Sequence, residues 1–204
     1  TRAPGILSTR FKIFLFSSGN IRCKNVLAYW DKDKKQIKFM EIKDKELHRI
    51  TSTAIIHKDG KYLITRRSLN KKAFPGRWTV PGGGLSVDDY INTAPSTAAG
   101  LWYSAIEKSL RREIKEEVNL EVGKMNYLLD ITHIIPGGIP AIILSFYCDY
   151  KSGEVKLDDD SINHAWVSLE EAKNYDLIEG IWEEIKIADE IIKGKNEGEI
   201  KFNI

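Results

Sequence analysis

The chain has 204 residues, 42% hydrophobic and 29% charged, which suits a soluble protein of one ordinary domain with a small appendage. A formal net charge of +2 is too small for a nucleic-acid or acidic-membrane footprint, so no stable nucleic-acid complex is expected. No run of about 18 apolar residues reads as a membrane span.

Cys23 and Cys148 share no CxxC or Cys/His cluster, which argues against a zinc site. The apolar run before Cys148 predicts a reduced core thiol, and with it a reducing, cytoplasmic location. The opening Thr1-Arg2-Ala3-Pro4-Gly5 has no initiator Met and no signal-peptide apolar core, as at a processed end.

In chain order, three strand-like runs come first, at residues 11–16, 21–30 and 36–42. Ser17-Ser18-Gly19-Asn20 and Asp31-Lys32-Asp33-Lys34 separate them. They predict a small β-rich extension over residues 1–47. A hairpin follows, 50–57 and 61–66 around Lys58-Asp59-Gly60, because Asp-Gly between β-rich runs favours a tight turn. Residues 69–77 read as loop, 78–80 as a short strand, Pro81-Gly82-Gly83-Gly84 as a tight turn and 86–102 as a long loop. A helix is expected over 103–118, since Ile106, Leu110, Ile114 and Val118 recur every fourth residue. Strands at 124–131 and 139–150 flank Pro136-Gly137-Gly138, and Trp166-Val167 reads as another. Ser168-Leu169-Glu170-Glu171 has the pattern of a capping box. A last helix spans 177–193 with Leu177, Ile181, Ile185, Ala188 and Ile192 on one stripe and Gly194 as C-cap. Strands with a helix between them and a helix at the end predict a layered α/β domain over 48–204.

At 100° per residue, Glu113, Glu116 and Glu117 share one arc beside the apolar stripe. Carboxylates crowded at a low-dielectric surface repel, and a hard divalent cation such as Mg²⁺ would reverse that penalty. The helix alone suits a solvated charged face equally well, with Lys108, Arg111, Arg112 and Lys115 pairing with the acids. Upstream context tips the balance. The glycines at 82–84 allow close backbone approach to a ligand, and Arg66 and Arg67 carry guanidiniums suited to phosphate.

The segment Arg112-Glu113-Ile114-Lys115-Glu116-Glu117-Val118-Asn119-Leu120 resembles the second half of the Nudix hydrolase signature, GX5EX7REUXEEXGU, where U is a bulky aliphatic residue. LITRRSLNKKAFPGRWTVPGGG upstream and HAWVSLEEA downstream are similar to the family in the same order, so the likeness covers about residues 48–195. Two departures stand out. Gly83 precedes Arg112 by 29 positions where the signature has 14, an insertion of about 15 residues that puts Ser104 at the position of the signature's first glutamate. Asn119 replaces the signature's last glycine, although Asn tolerates the left-handed turn.

The resemblance implies a Nudix-like α/β/α sandwich with a mixed sheet, plus the N-terminal β extension. It also implies a Mg²⁺-dependent (or Mn²⁺-dependent) hydrolase of a nucleoside diphosphate linked to another moiety, ADP-ribose-like or a nucleoside triphosphate. Glu116 and Glu117 would be the main metal ligands. Glu113 would be a ligand or the base, Arg112 would orient the acids, and the Gly82 carbonyl would complete the shell. A further acid is expected among Asp158, Asp159 and Asp160, with Asp160 preferred. Arg66, Arg67 and Gly83 would meet the substrate. Pro136 is similarly spaced in ADP-ribose pyrophosphatases, and the extension is compatible with a homodimer. The insertion, with Asp88, Asp89, Trp102 and Tyr103, is a candidate lid. Two alternatives stay open: a non-catalytic nucleotide-binding module, favoured by Ser104 and Asn119, and a prenyl-diphosphate isomerase, which would need a Cys and a Glu in the pocket.

Overall fold

Three strands near the start of the chain pair with one another in the computed structural model, which describes residues 12–15, 22–31, 36–41, 47–135 and 139–196. These strands are β1 (Lys12–Leu15), β2 (Arg22–Asp31) and β3 (Gln36–Glu41), antiparallel in the order β1-β2-β3. They lie within one compact unit, Thr1–His48, and the rest of the chain, Arg49–Ile204, forms a second.

The second unit opens with the Asp-Gly hairpin. β4 (Arg49–Lys58) and β5 (Lys61–Arg67) meet through Asp59 and Gly60 at φ 49° and 74°, the positive pair that a two-residue turn between twisted strands requires. Beyond His57↔Tyr62 the two strands diverge. The space between them is filled by β6 (Trp78–Thr79) on β5 and β7 (Gly82–Gly84) on β4. A short helix α1 (Asp88–Ile91) precedes α2 (Ala105–Val118), and β8 (Glu121–Val122), β9 (Asn126–Ile135), β10 (Ile139–Ser152) and β11 (Ser161–Val167) follow. The chain ends with α3 (Leu169–Ala172) and α4 (Ile181–Ile192). The sheet order is β11-β5-β4-β10-β8, with β9 also on β10, and β4 runs parallel to β10 while the other pairs are antiparallel.

Alternation along β4 explains the layers. Ala54 and Ile56 face Leu110, Ile114 and Val118 of α2, whereas Ile55 faces Ile185 and Ala188 of α4. A strand buried on both faces needs apolar residues at consecutive positions. Cys148 is 2% exposed within the α2-side core, and burial pushes its thiol up to about 12.

Several expected boundaries move. α2 starts at Ala105 because Ser104 sits at φ 58°. The last helix starts at Ile181, since Gly180 has φ 91° and Leu177 instead bridges to Trp78. β8 was not expected, and β11 is longer than Trp166-Val167. Ser168 does form a capping box with Glu171. Pro136 lies outside the described residues.

Candidate active site

The glycine strand β7 lies directly against the acidic side of α2. A Cβ on Gly83 would sit 2.2 Å from the Glu113 carboxyl carbon, so no larger residue lets the strand approach this closely. One residue earlier, the Gly82 N–H donates to Glu117 Oε2 at 2.9 Å. Burial holds the Glu117 carboxyl up at about 7. The charges of Glu113 and Asp158 add to that rise, and the Gly82 N–H and Lys71 oppose it.

Arg112 gathers three carboxylates. Its Nε donates to Asp89 Oδ1 at 2.5 Å, Nη2 to Glu113 Oε1 at 2.8 Å and Nη1 to Glu116 Oε2 at 2.7 Å. Asp89 also accepts from the Ser86 N–H at 2.7 Å and from Ser109 Oγ at 2.8 Å. Its side chain is 4% exposed. The hydrogen bond from Arg112, foremost, holds its carboxyl down at about 2, and Arg112 in turn is held above its ordinary value, chiefly by Asp89.

Sequence reasoning missed Asp89 as the partner of Arg112. Counting back from Arg112 put Ser104 in the place of the signature's first glutamate. Ser104 is instead the N-cap position of α2, without a side-chain capping bond. Counting forward six positions from Gly83 reaches Asp89, which is where the signature GX5E places its acid. The insertion therefore falls after this acid. It folds on itself: the Tyr90 and Trp102 rings lie 5.5 Å apart, and Trp102 Nε1 donates to the Thr93 carbonyl at 3.1 Å. Trp102 is thus engaged within the insertion, and Tyr103 is 61% exposed. Of the four residues the sequence offered as a lid, Asp88 and Asp89 line a cavity and Trp102 and Tyr103 do not. The cavity, about 560 Å³, is bounded also by Gly84, Ser86, Lys108, Arg112 and Glu113.

The remaining expected residues divide. Asp160 forms an ion pair with Lys71, while Asp158 is the acid whose charge acts on Glu117 and whose N–H donates to the Glu117 carbonyl at 3.3 Å. Arg66 and Arg67 spend their Nε groups on the loop that follows β5, bonding the carbonyls of Gly76 and Ala73, each at 3.0 Å. Asn119 adopts φ 57° and ends α2, as its tolerance of that conformation predicted.

Glu113, Glu116 and Glu117 carry the hard oxygen donors that Mg²⁺ or Mn²⁺ takes, and burial foremost, with the neighbouring charges of Glu113 and Asp158, disfavours the charged form of Glu117. Among the described residues, no three Asp, Glu, His or Cys side chains converge on a shared ion position, because Arg112 draws Glu113 and Glu116 to its own guanidinium. A cation would compete with Arg112 for these two side chains.

The family model described as NUDIX domain matches residues 46–187. Nucleoside triphosphatase NudI of Escherichia coli (strain K12) is 31% identical over 133 residues, covering 60% of this chain and 84% of that protein. Nucleoside triphosphatase NudI of Klebsiella pneumoniae (strain 342) is 29% identical over 140 residues with the same coverage. The chain is similar in fold to a MutT NUDIX hydrolase from Burkholderia pseudomallei, with TM-score 0.55 at 21% identity, covering 69% of this chain and 97% of that one. It is likewise similar to the NUDIX domain of Shewanella oneidensis NrtR complexed with ADP ribose, with TM-score 0.55 at 16% identity, covering 74% and 94%.

Proposed function

The chain belongs to the NUDIX domain family and is a hydrolase of phosphorus-containing acid anhydrides, and from that premise we propose that it cleaves a pyrophosphate linkage of nucleoside triphosphates with a divalent cation, Mg²⁺ or Mn²⁺. The observation that carries the reading is the Arg112 clamp on Glu113 and Glu116 beside a Glu117 held by the Gly82 N–H. The choice of triphosphates is supported by the likeness to the NudI proteins.

In this reading Glu116 and Glu117 would hold the cation, with the Gly82 carbonyl completing the set and Asp158, rather than Asp160, as the accessory acid. When bound, the cation neutralises charge on the pyrophosphate oxygens and lowers the pKa of the attacking water. Glu113 accepts the proton of that water. Arg112 holds the carboxylates of Glu113 and Glu116 on one guanidinium and offsets their mutual repulsion, and a cation would take its place at their oxygens. Gly83 leaves room for the Glu113 carboxylate against the strand, and the Nη groups of Arg66 and Arg67 donate to phosphate oxygens. Residues 48–204 form the catalytic domain, and 1–47 an extension that serves pairing of two copies. Cys148 is a core residue, so an isomerase would lack its cysteine proton donor among the described residues of the pocket.

The test is phosphate and pyrophosphate release from a panel of nucleoside triphosphates and ADP-ribose, with Mg²⁺ and with chelator. Metal-dependent turnover of triphosphates is expected, and Glu116→Gln or Glu117→Gln should lower kcat/KM by about 100-fold or more, the scale of several kcal/mol of charge stabilisation. Unchanged turnover in both variants would sink the metal assignment; no turnover of any substrate would sink the reaction.

A further inference from the structure

On the α4 side of the sheet, opposite the acidic helix, the register lines up residues that the reaction above does not use. His133 of β9, Ala141 of β10 and Arg49 of β4 are successive cross-strand partners, so their side chains leave the sheet on the same side. Four residues along β10, Ser145 projects on that side too, and its hydroxyl bonds Glu184 of α4 at 2.6 Å, which identifies the face. Glu113 meets Gly83 from the other side. Arg49 instead lies over Gly84, with Nη2 3.2 Å from where a Cβ would stand. Arg49 and His133 are exposed, and Arg49 has no carboxylate partner among the described residues.

An aromatic ring reaches this row from the opposite edge of the site. Phe74 is 42% exposed, and its ring centroid lies 6.2 Å from that of His133 with the planes 33° apart. Its backbone is at φ 50°, a conformation that costs a bulky residue and persists only where its surroundings impose it. Here the imposing contacts are the bonds from Arg66 and Arg67 to the carbonyls of Gly76 and Ala73, on either side of Phe74. The arginines thus hold an exposed ring in place against a histidine on a strand beyond β4 and β10.

We propose that Phe74 and His133 form a stacking platform for the nucleobase, and that Arg49, over Gly84, bonds the phosphate nearest the ribose. This rests on the nucleotide substrate of the preceding reading. His133 and Arg49 are two strand spacings apart, about 10 Å, comparable with the length of a nucleoside monophosphate. The glycine strand is then gripped on both sides: Glu113 serves the bond that breaks, and Arg49 serves the part of the substrate that stays with the base. Stacking reads the π-face, which every base has, and not the hydrogen-bonding edge. The platform therefore selects for a nucleoside while discriminating weakly among bases.

The experiment is equilibrium binding of AMP to the full chain without metal, beside steady-state kinetics on nucleoside triphosphates. Phe74→Leu, which keeps apolar bulk, and His133→Ala should each raise the AMP dissociation constant by about 5- to 100-fold. Phe74→Tyr should restore binding. Arg49→Gln should weaken AMP but not adenosine. In turnover, KM should rise more than kcat falls. Thermal midpoints close to that of the parent show that the variants fold. Binding of AMP by Phe74→Leu and His133→Ala as tight as by the parent, or no AMP binding by the parent, overturns the platform. AMP binding lost in these variants without any turnover by the parent would uphold the platform and overturn the hydrolase reading instead.

Discussion

Asp89 and Gly83 set the acidic cluster through opposite means, one by charge and one by the absence of a side chain. The Asp89 carboxyl is depressed from 3.8 to about 2 and is nearly buried, so the difference corresponds to roughly 2 kcal/mol of stability. A depressed folded-state value means that this contribution is complete above the unfolded value, near 4, and is lost as pH falls through about 2. Asp89→Asn is therefore expected to cost about 2 kcal/mol in urea unfolding at neutral pH. The gap from the parent should close as pH drops from about 4 towards 2, and a gap independent of pH would contradict the ion-pair account. The variant should also lose about 10- to 100-fold in kcat, because Arg112 then aims Glu113 and Glu116 less firmly. Gly83→Ala puts a methyl group into the Glu113 carboxylate. That displacement is expected to cost on the order of 100-fold in kcat/KM with little change in thermal midpoint, since Gly83 has an ordinary backbone conformation.

At the level of elements, α2 is the part that joins core to site. Ile114 is fully buried between Glu113 and Glu116 in sequence, so the apolar stripe that docks the helix also fixes where its acids point. Ile114→Ala should cost about 2–5 kcal/mol, measured by chemical denaturation, and should lower activity further at temperatures where the fold still holds. At the helix end, Asn119 sits at φ 57°. Asn119→Gly is expected to be neutral or slightly stabilising, whereas Asn119→Val should cost about 1–2 kcal/mol. The insertion between Asp89 and Arg112 illustrates why counting along the chain misled. Lengthening a loop raises its closure cost only logarithmically, by about 0.6 kcal/mol per doubling, so a fold keeps a useful ion pair across an inserted segment with little penalty. The acid stays with its arginine in space while the spacing in sequence changes.

For the whole molecule, the repeating patterns were legible and the meeting points were not. The recurrence of Ile106, Leu110, Ile114 and Val118 at every fourth residue, the Asp59-Gly60 turn and the Ser168 capping box all express local backbone geometry. Each was readable from a window of a few residues. Helix geometry likewise put Glu113, Glu116 and Glu117 on one arc, but by itself it did not separate a site from a solvated charged face. What only the tertiary structure decided were contacts between distant segments: Asp89 rather than Ser104 with Arg112, Asp158 rather than Asp160 acting on Glu117, the arginine pair holding the Phe74 loop, and Phe74 against His133. Such contacts depend on how strands are ordered and in which register they pair, and β4 beside β10 joins residues about 90 positions apart. Periodicity tells which face of an element is buried; packing of whole layers decides what that face meets.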